Sequence, residues 1–178
     1  MIGPEEAHAV VLYDTGPSRQ ARALKPASGS SRYNPYHAEV VKQLAWQVLP
    51  DMPHKAPECI GIVTPYAAQR DYIKGLLKGT ELEVFVRVGT IHAFQGLEFD
   101  ALILDTVESP GLKIAPFLRG GWGADAMRLL NVAVSRARHK LLIVANMPYI
   151  SEEPTSFILP QMMRLACQKK RIPVDLEN

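Results

Sequence analysis

The chain has 178 residues, 47% of them hydrophobic and 21% charged, with a formal net charge of +2. That length suits one domain with a sizeable core, or a piece of a larger protein. The near-balanced charge excludes a nucleic-acid binder that relies on bulk basicity, but not one with a local basic groove. Two cysteines, Cys59 and Cys167, cannot form a disulfide framework and read as thiols of a reducing compartment, cytoplasmic or nuclear. Neither a CxxC pair nor a His cluster offers a metal site. There is no signal-peptide pattern, and no apolar run reaches the roughly 18 residues of a membrane span.

In chain order, AVVLYDT (9–15) is a short apolar strand, and the Gly-, Pro- and Ser-rich GPSRQARALKPASGSSRY that follows reads as loop. Asn34-Pro35 opens a helix, with Asn as N-cap and Pro in the first turn, and Val40, Val41, Leu44, Ala45 and Val48 line its apolar face. ECIGIVTP (58–65) is a buried strand ending at Pro65. AAQRDYIKGLLKG (67–79) is a helix stopped by Gly79. EVFVRVGT (83–90) and DALILDTV (100–107) read as two more strands. ADAMRLLNVAVSRAR (124–138) reads as a helix, KLLIVAN (140–146) as the last strand, and a final helix is expected from about Ser156 to Lys170. Helices alternate with strands that are apolar throughout, the pattern of a parallel sheet covered on both faces. Ligands on such sheets bind beyond the carboxyl ends of the strands, where Thr64, Thr90, His92 and Asp105 fall.

Three constellations carry chemistry. In GIVTPYAAQRDYI (61–73), Thr64 and Tyr66 sit at a strand end, with Gln69 and Arg70 in the first turn of the next helix, a natural anion site. A solvated arginine is the competing reading. In VGTIHAFQGLEFDALILD (88–105), Thr90 and His92 follow a strand, Gly96 lets backbone approach a ligand closely, and Glu98 precedes the next strand. A structural histidine and a solvated carboxylate are the competing readings there. In RLLNVAVSRARHKLLIVAN (128–146), Arg136 lies seven residues after Leu129 and four after Val132, on the apolar stripe of the helix. A guanidinium there needs an anion unless it snorkels to water. Arg138 falls on the polar flank and is expected to matter less.

These stretches, in this order, resemble motifs IV, V and VI of superfamily 1 helicases, and RYNPYHAEVV (32–41) resembles the segment that opens their second motor domain. The PYxxQR and NVAxSRAR forms are those of the nonsense-mediated-decay type, superfamily 1B. Leu97 departs from that group, which more often has a basic residue there. The resemblance covers roughly residues 10–147 and implies an α/β, RecA-like domain, of the P-loop NTPase type, with a mainly parallel sheet and helices on both faces. The Walker A loop GxxxxGK[ST], the acidic DExx box and the GDxxQ motif are missing from the sequence. Residues 1–178 are therefore expected to be a second motor domain, with a core over about 10–147 and a helical tail over about 150–178.

By the resemblance, ATP with Mg²⁺ is held mainly by an N-terminal RecA-like domain of the same protein. Arg136 and Arg70 would reach the γ-phosphate, Glu98 the ribose, and Gly96, Gln69 and Tyr66 would border the nucleotide. Thr64, Thr90 and His92 would touch the phosphates of single-stranded DNA or RNA, and this portion alone would be inactive as an ATPase. The alternative is a degenerate RecA-like domain used as a protein-interaction or nucleic-acid-binding scaffold. The long SPGLKIAPFLRGGWGA connection (109–124) reads either as a mobile loop or as a nucleic-acid contact through Lys113, Arg119 and Trp122.

Overall fold

The uninterrupted apolar strands are explained by what covers them. The computed structural model describes residues 10–52, 56–119, 125–154 and 157–176; Trp122, Ser156 and the side chains of Leu129 and Cys167 lie outside the described residues. Six strands, β1 (Val10–Asp14), β2 (Ile60–Val63), β3 (Val86–Gly89), β4 (Phe99–Asp105), β5 (Ala137–Ala145) and β6 (Arg171–Pro173), form one sheet in the order β3-β2-β4-β5-β1-β6. Every pairing between them is parallel.

Successive side chains on the inner strands enter opposite cores. Ile60, Ile62, Ala101, Ile103, Leu142 and Val144 pack with α1 (Pro35–Val48) and α2 (Ala67–Leu77) on one face. Leu102, Leu104, Leu141 and Ile143 pack on the other, against the 3-10 turn Ile91–Phe94, α5 (Met147–Ser151) and α6 (Ile158–Lys169), with Met127 and Val132 of α4 (Asp125–Arg136) at the margin. A fully buried Leu or Ile contributes about 1.5–3 kcal/mol, so this two-sided burial holds the sheet rigid under whatever its edges do.

The local signals act as their chemistry predicts. The Asn34 side chain accepts from the His37 amide at 3.1 Å to cap α1. Gly79 takes φ +74 where α2 ends. The strand expected over 83–90 is corrected in its first half, because Leu82–Phe85 form a short helix, α3, and only Val86–Gly89 are extended. The Thr80 hydroxyl donates to Leu77 O at 2.6 Å and the Glu83 carboxylate accepts from Gly79 N at 2.7 Å, so the chain leaving α2 keeps turning despite its β-branched residues. Two elements are not expected from the sequence: helix α5, whose Met147 and Ile150 enter the second core, and edge strand β6, which closes the far side of β1.

Candidate nucleotide and nucleic-acid edges of the sheet

The parallel register sorts the expected site residues into two groups. Val63 is level with both Gly89 and Leu104, so Thr64 and Thr90 stand at the carboxyl edge, level with Asp105. Phe99 is level with Ala137, so Glu98 and Arg136, one residue earlier on each strand, stand together at the amino edge. Six residue steps from Phe99 to Asp105 separate the edges by about 20 Å.

At the carboxyl edge Thr64 is fully buried, its amide donates to Gly89 O at 3.1 Å, and its hydroxyl has no hydrogen-bond partner among the described residues. Thr90 precedes the 3-10 turn Ile91–Phe94 without a side-chain capping bond, and His92 is exposed on that turn. Gln69 is buried and spent inside the fold. Its Oε1 accepts from Asn34 N at 2.7 Å, and its Nε2 donates to Asp105 Oδ2 at 2.6 Å and to Asn34 O at 3.2 Å. Tyr66 is buried as well. Its hydroxyl donates to Glu108, and its ring meets Phe117 edge-on and lies under the Arg32 guanidinium. Burial, then the neighbouring Glu108 charge, push the Tyr66 phenol far above its ordinary range. Gln69 and Tyr66 thus spend their polar atoms on the carboxyl-edge network.

That network is the part sequence reasoning missed. His37 Nδ1 pairs with Asp105 Oδ1 at 2.9 Å and His37 Nε2 with the Thr15 hydroxyl at 2.8 Å. Arg32 Nη1 reaches Glu108 at 3.0 Å and Lys113 O at 2.6 Å. Between Asp105 and Glu108, Val107 holds φ +65, a conformation costly for a β-branched residue. The available signal was DTVES (105–109), a polar run directly after a strand, every residue of which is buried. The connection after it is tied down as far as Arg119: Tyr149 donates to Leu112 O, Ile114, Ala115 and Leu118 are buried, and Arg119 pairs with Glu153 at 2.8 Å. Residues 110–119 are thus packed onto the fold, while Lys113 stays exposed.

At the amino edge Arg136 ends α4, half-buried, and its buried Nε has no hydrogen-bond partner among the described residues. Arg119 Nε is in the same state, but its guanidinium already meets Glu153. Glu98 is exposed and pairs with Arg138, whose Nε and Nη2 both lie 2.9 Å from Glu98 Oε2. Gly96 precedes it at φ +78 in an exposed turn.

The family described as "AAA domain" matches residues 3–148. The "Regulator of nonsense transcripts 1" of Dictyostelium discoideum is 33% identical over 133 residues, 72% of this chain and 9% of that protein. This chain belongs to the AAA-domain family. The "ATP-dependent helicase NAM7" of Saccharomyces cerevisiae is 37% identical over 95 residues, 51% of this chain and 9% of that protein. The "DNA polymerase alpha-associated DNA helicase A" of the same yeast is 31% identical over 139 residues, 77% and 19%. The chain thus spans between about a tenth and a fifth of these curated relatives. A solved C-terminal domain of a possible DNA helicase from Lactobacillus plantarum overlays with a TM-score of 0.45 at 18% identity, covering 78% of this chain and 73% of that one.

The two groups part the two arginines. Arg70 and Arg136 stand at opposite edges of the sheet and on opposite faces. Arg70 is on α2, which starts at the carboxyl edge and packs on one face; Arg136 ends α4 at the amino edge on the other. Arg70 is moreover held by Asp71, Nε to Oδ1 at 2.8 Å and Nη2 to Oδ2 at 2.9 Å, a contact that raises the guanidinium's pKa and lowers the carboxyl's. Among the described residues no group of three or more His, Cys, Asp or Glu side chains forms a metal site, and no helix is long and apolar enough to cross a membrane.

Proposed function

We propose that this chain is the second motor domain of an ATP-dependent DNA or RNA helicase or translocase, and that its amino edge completes an ATPase site whose phosphate loop and magnesium carboxylates belong to an N-terminal RecA-like domain of the same protein. The observation that carries the reading is the buried Arg136 Nε, a donor with no acceptor among the described residues, at the level of Glu98. A buried guanidinium N–H left unpaired is costly, and the cost is recovered when an anion arrives.

Bound ATP would supply a γ-phosphoryl group whose negative charge spreads over its equatorial oxygens during transfer. Arg136 is fixed by its helix and adjoining strand, so it meets that charge without reorganising. Glu98 accepts the sugar hydroxyls. At the other edge, Thr90 and His92 contact the backbone of a single strand without reading bases, which a short hydroxyl and an imidazole suit, while Thr64 lies buried behind them. Arg70 belongs to that edge.

The test is Arg136→Ala in the full-length protein, read by steady-state ATPase with saturating single strand beside a fluorescent-nucleotide titration. Turnover falls by about 10³-fold or more while nucleotide affinity changes only a few-fold, because a finger acts mainly in the transition state. Arg136→Lys rescues poorly, since an ammonium offers no planar fork. Turnover within a few-fold of wild type would overturn the assignment.

A further inference from the structure

We propose that Arg138, carried on a β-bulge at the start of β5, is a positioning residue that holds the Glu98 carboxylate ready for the sugar hydroxyls of the nucleotide. The inference rests on the reading of the amino edge as the nucleotide side. Phe99 is level with Ala137, but Ala101 is level with Lys140. Between those rungs one residue of β4, Asp100, faces two of β5, Arg138 and His139. An extra residue of this kind leaves the ladder, bends its strand and re-aims a side chain.

The re-aimed side chain is Arg138. It reaches one strand over to Glu98, and its Nη1 also stands 3.9 Å from Asp100 Oδ1, while His139 Nε2 lies 4.0 Å from the same oxygen. Both close nitrogens of Arg138 converge on Glu98 Oε2 at 2.9 Å, and among the described residues Oε1 has no partner. The carboxylate is thus gripped by one oxygen and presents the other. Both side chains are half-exposed, at 56% and 50%, and exposed pairs add little to folding stability. A pair of small structural worth, built on a bulge one residue from Ala137 and two from Arg136, is accounted for by orientation. Arg138 is therefore no inert neighbour of Arg136, as its place on the polar flank of the helix had implied.

The experiment compares ATP with 2′,3′-dideoxy-ATP as substrates of the full-length helicase, in the wild type, Arg138→Ala, Arg138→Lys and Glu98→Gln. The wild type prefers ATP through KM. Arg138→Ala raises the KM for ATP by about tenfold, the worth of hydrogen bonds to a charged group, and leaves the KM for the dideoxy substrate where it was. Glu98→Gln matches it, and the double variant is no worse than either single one. Arg138→Lys restores part of the preference. A wild type indifferent to the sugar, an unchanged KM ratio in Arg138→Ala, or an equal loss of kcat on both substrates would each overturn the proposal. A collapsed ratio alongside a harmless Arg136→Ala would sink the finger and spare Arg138. A dead Arg136→Ala with an intact ratio would do the reverse.

Discussion

Glu108 shows what one carboxylate does when its surroundings are closed to water. It is fully buried, and burial pushes its carboxyl above the ordinary 4.5, opposed by the Tyr66 hydrogen bond and the Arg32 charge. A carboxyl raised in the folded state binds more protons there than in the unfolded chain. Its stabilising contribution is whole below the ordinary carboxylate range and declines as pH rises from there through the folded value. Glu108→Gln keeps an acceptor for the Tyr66 hydroxyl and removes the titration. In urea denaturation across pH 4.5 to 8, wild type should therefore lose stability relative to Glu108→Gln as pH rises; a gap that does not move with pH would show that burial does not govern this group. No local signal announces this behaviour. Arg32 is 76 residues away in the chain, and Asp105 reaches His37 across 68. Arg136 was legible because helical spacing alone put a cation on an apolar stripe, with Val132 at its margin. Glu98 was legible as a carboxylate before a strand, but its Arg138 partner, 40 residues on, was not.

Among the elements, β2 and the 3-10 turn Ile91–Phe94 depend on one another. A Cβ at Gly61 would come within 2.5 Å of Leu102 Cδ1, 2.8 Å of Phe99 Cγ and 2.9 Å of Phe94 Cε1. The missing side chain is the space into which Phe94 packs, and Phe94 seats the turn that carries His92 and follows Thr90. Gly61→Ala should lower the unfolding free energy by about 1–3 kcal/mol through overpacking, and in the full protein it should weaken single-strand binding as the turn lifts. Unaltered stability would mean Phe94 can move aside freely. Most elements were readable because apolar periodicity and capping chemistry agree: Asn34 caps α1, Gly79 stops α2, and β4 carries the apolar run Ala101–Leu104. The readings that failed, α3 in place of strand and the unforeseen α5 and β6, are short segments where tertiary contacts or side-chain hydrogen bonds decide.

For the whole molecule, the parallel sheet puts the two kinds of contact at opposite ends. Thr90→Ala in the full-length protein should cost on the order of 1 kcal/mol of strand affinity and leave nucleotide affinity alone, the mirror image of changes at the amino edge. Purified by itself, the 178-residue chain should show no strand-stimulated ATPase, since its sequence lacks a phosphate loop and an acidic magnesium box. Turnover by the clean chain, abolished by Arg136→Ala, would defeat the two-domain account.

The stretch between Thr90 and Glu98 joins those two ends directly, with no crossover helix. Within it the 3-10 turn Ile91–Phe94 runs into a second turn, closed by the Leu97 amide on Phe94 O at 3.3 Å with Gly96 at φ +78. Phe94, fully buried, pins both turns to the sheet, so a single anchored ring in nine residues of chain links the two working ends of the domain.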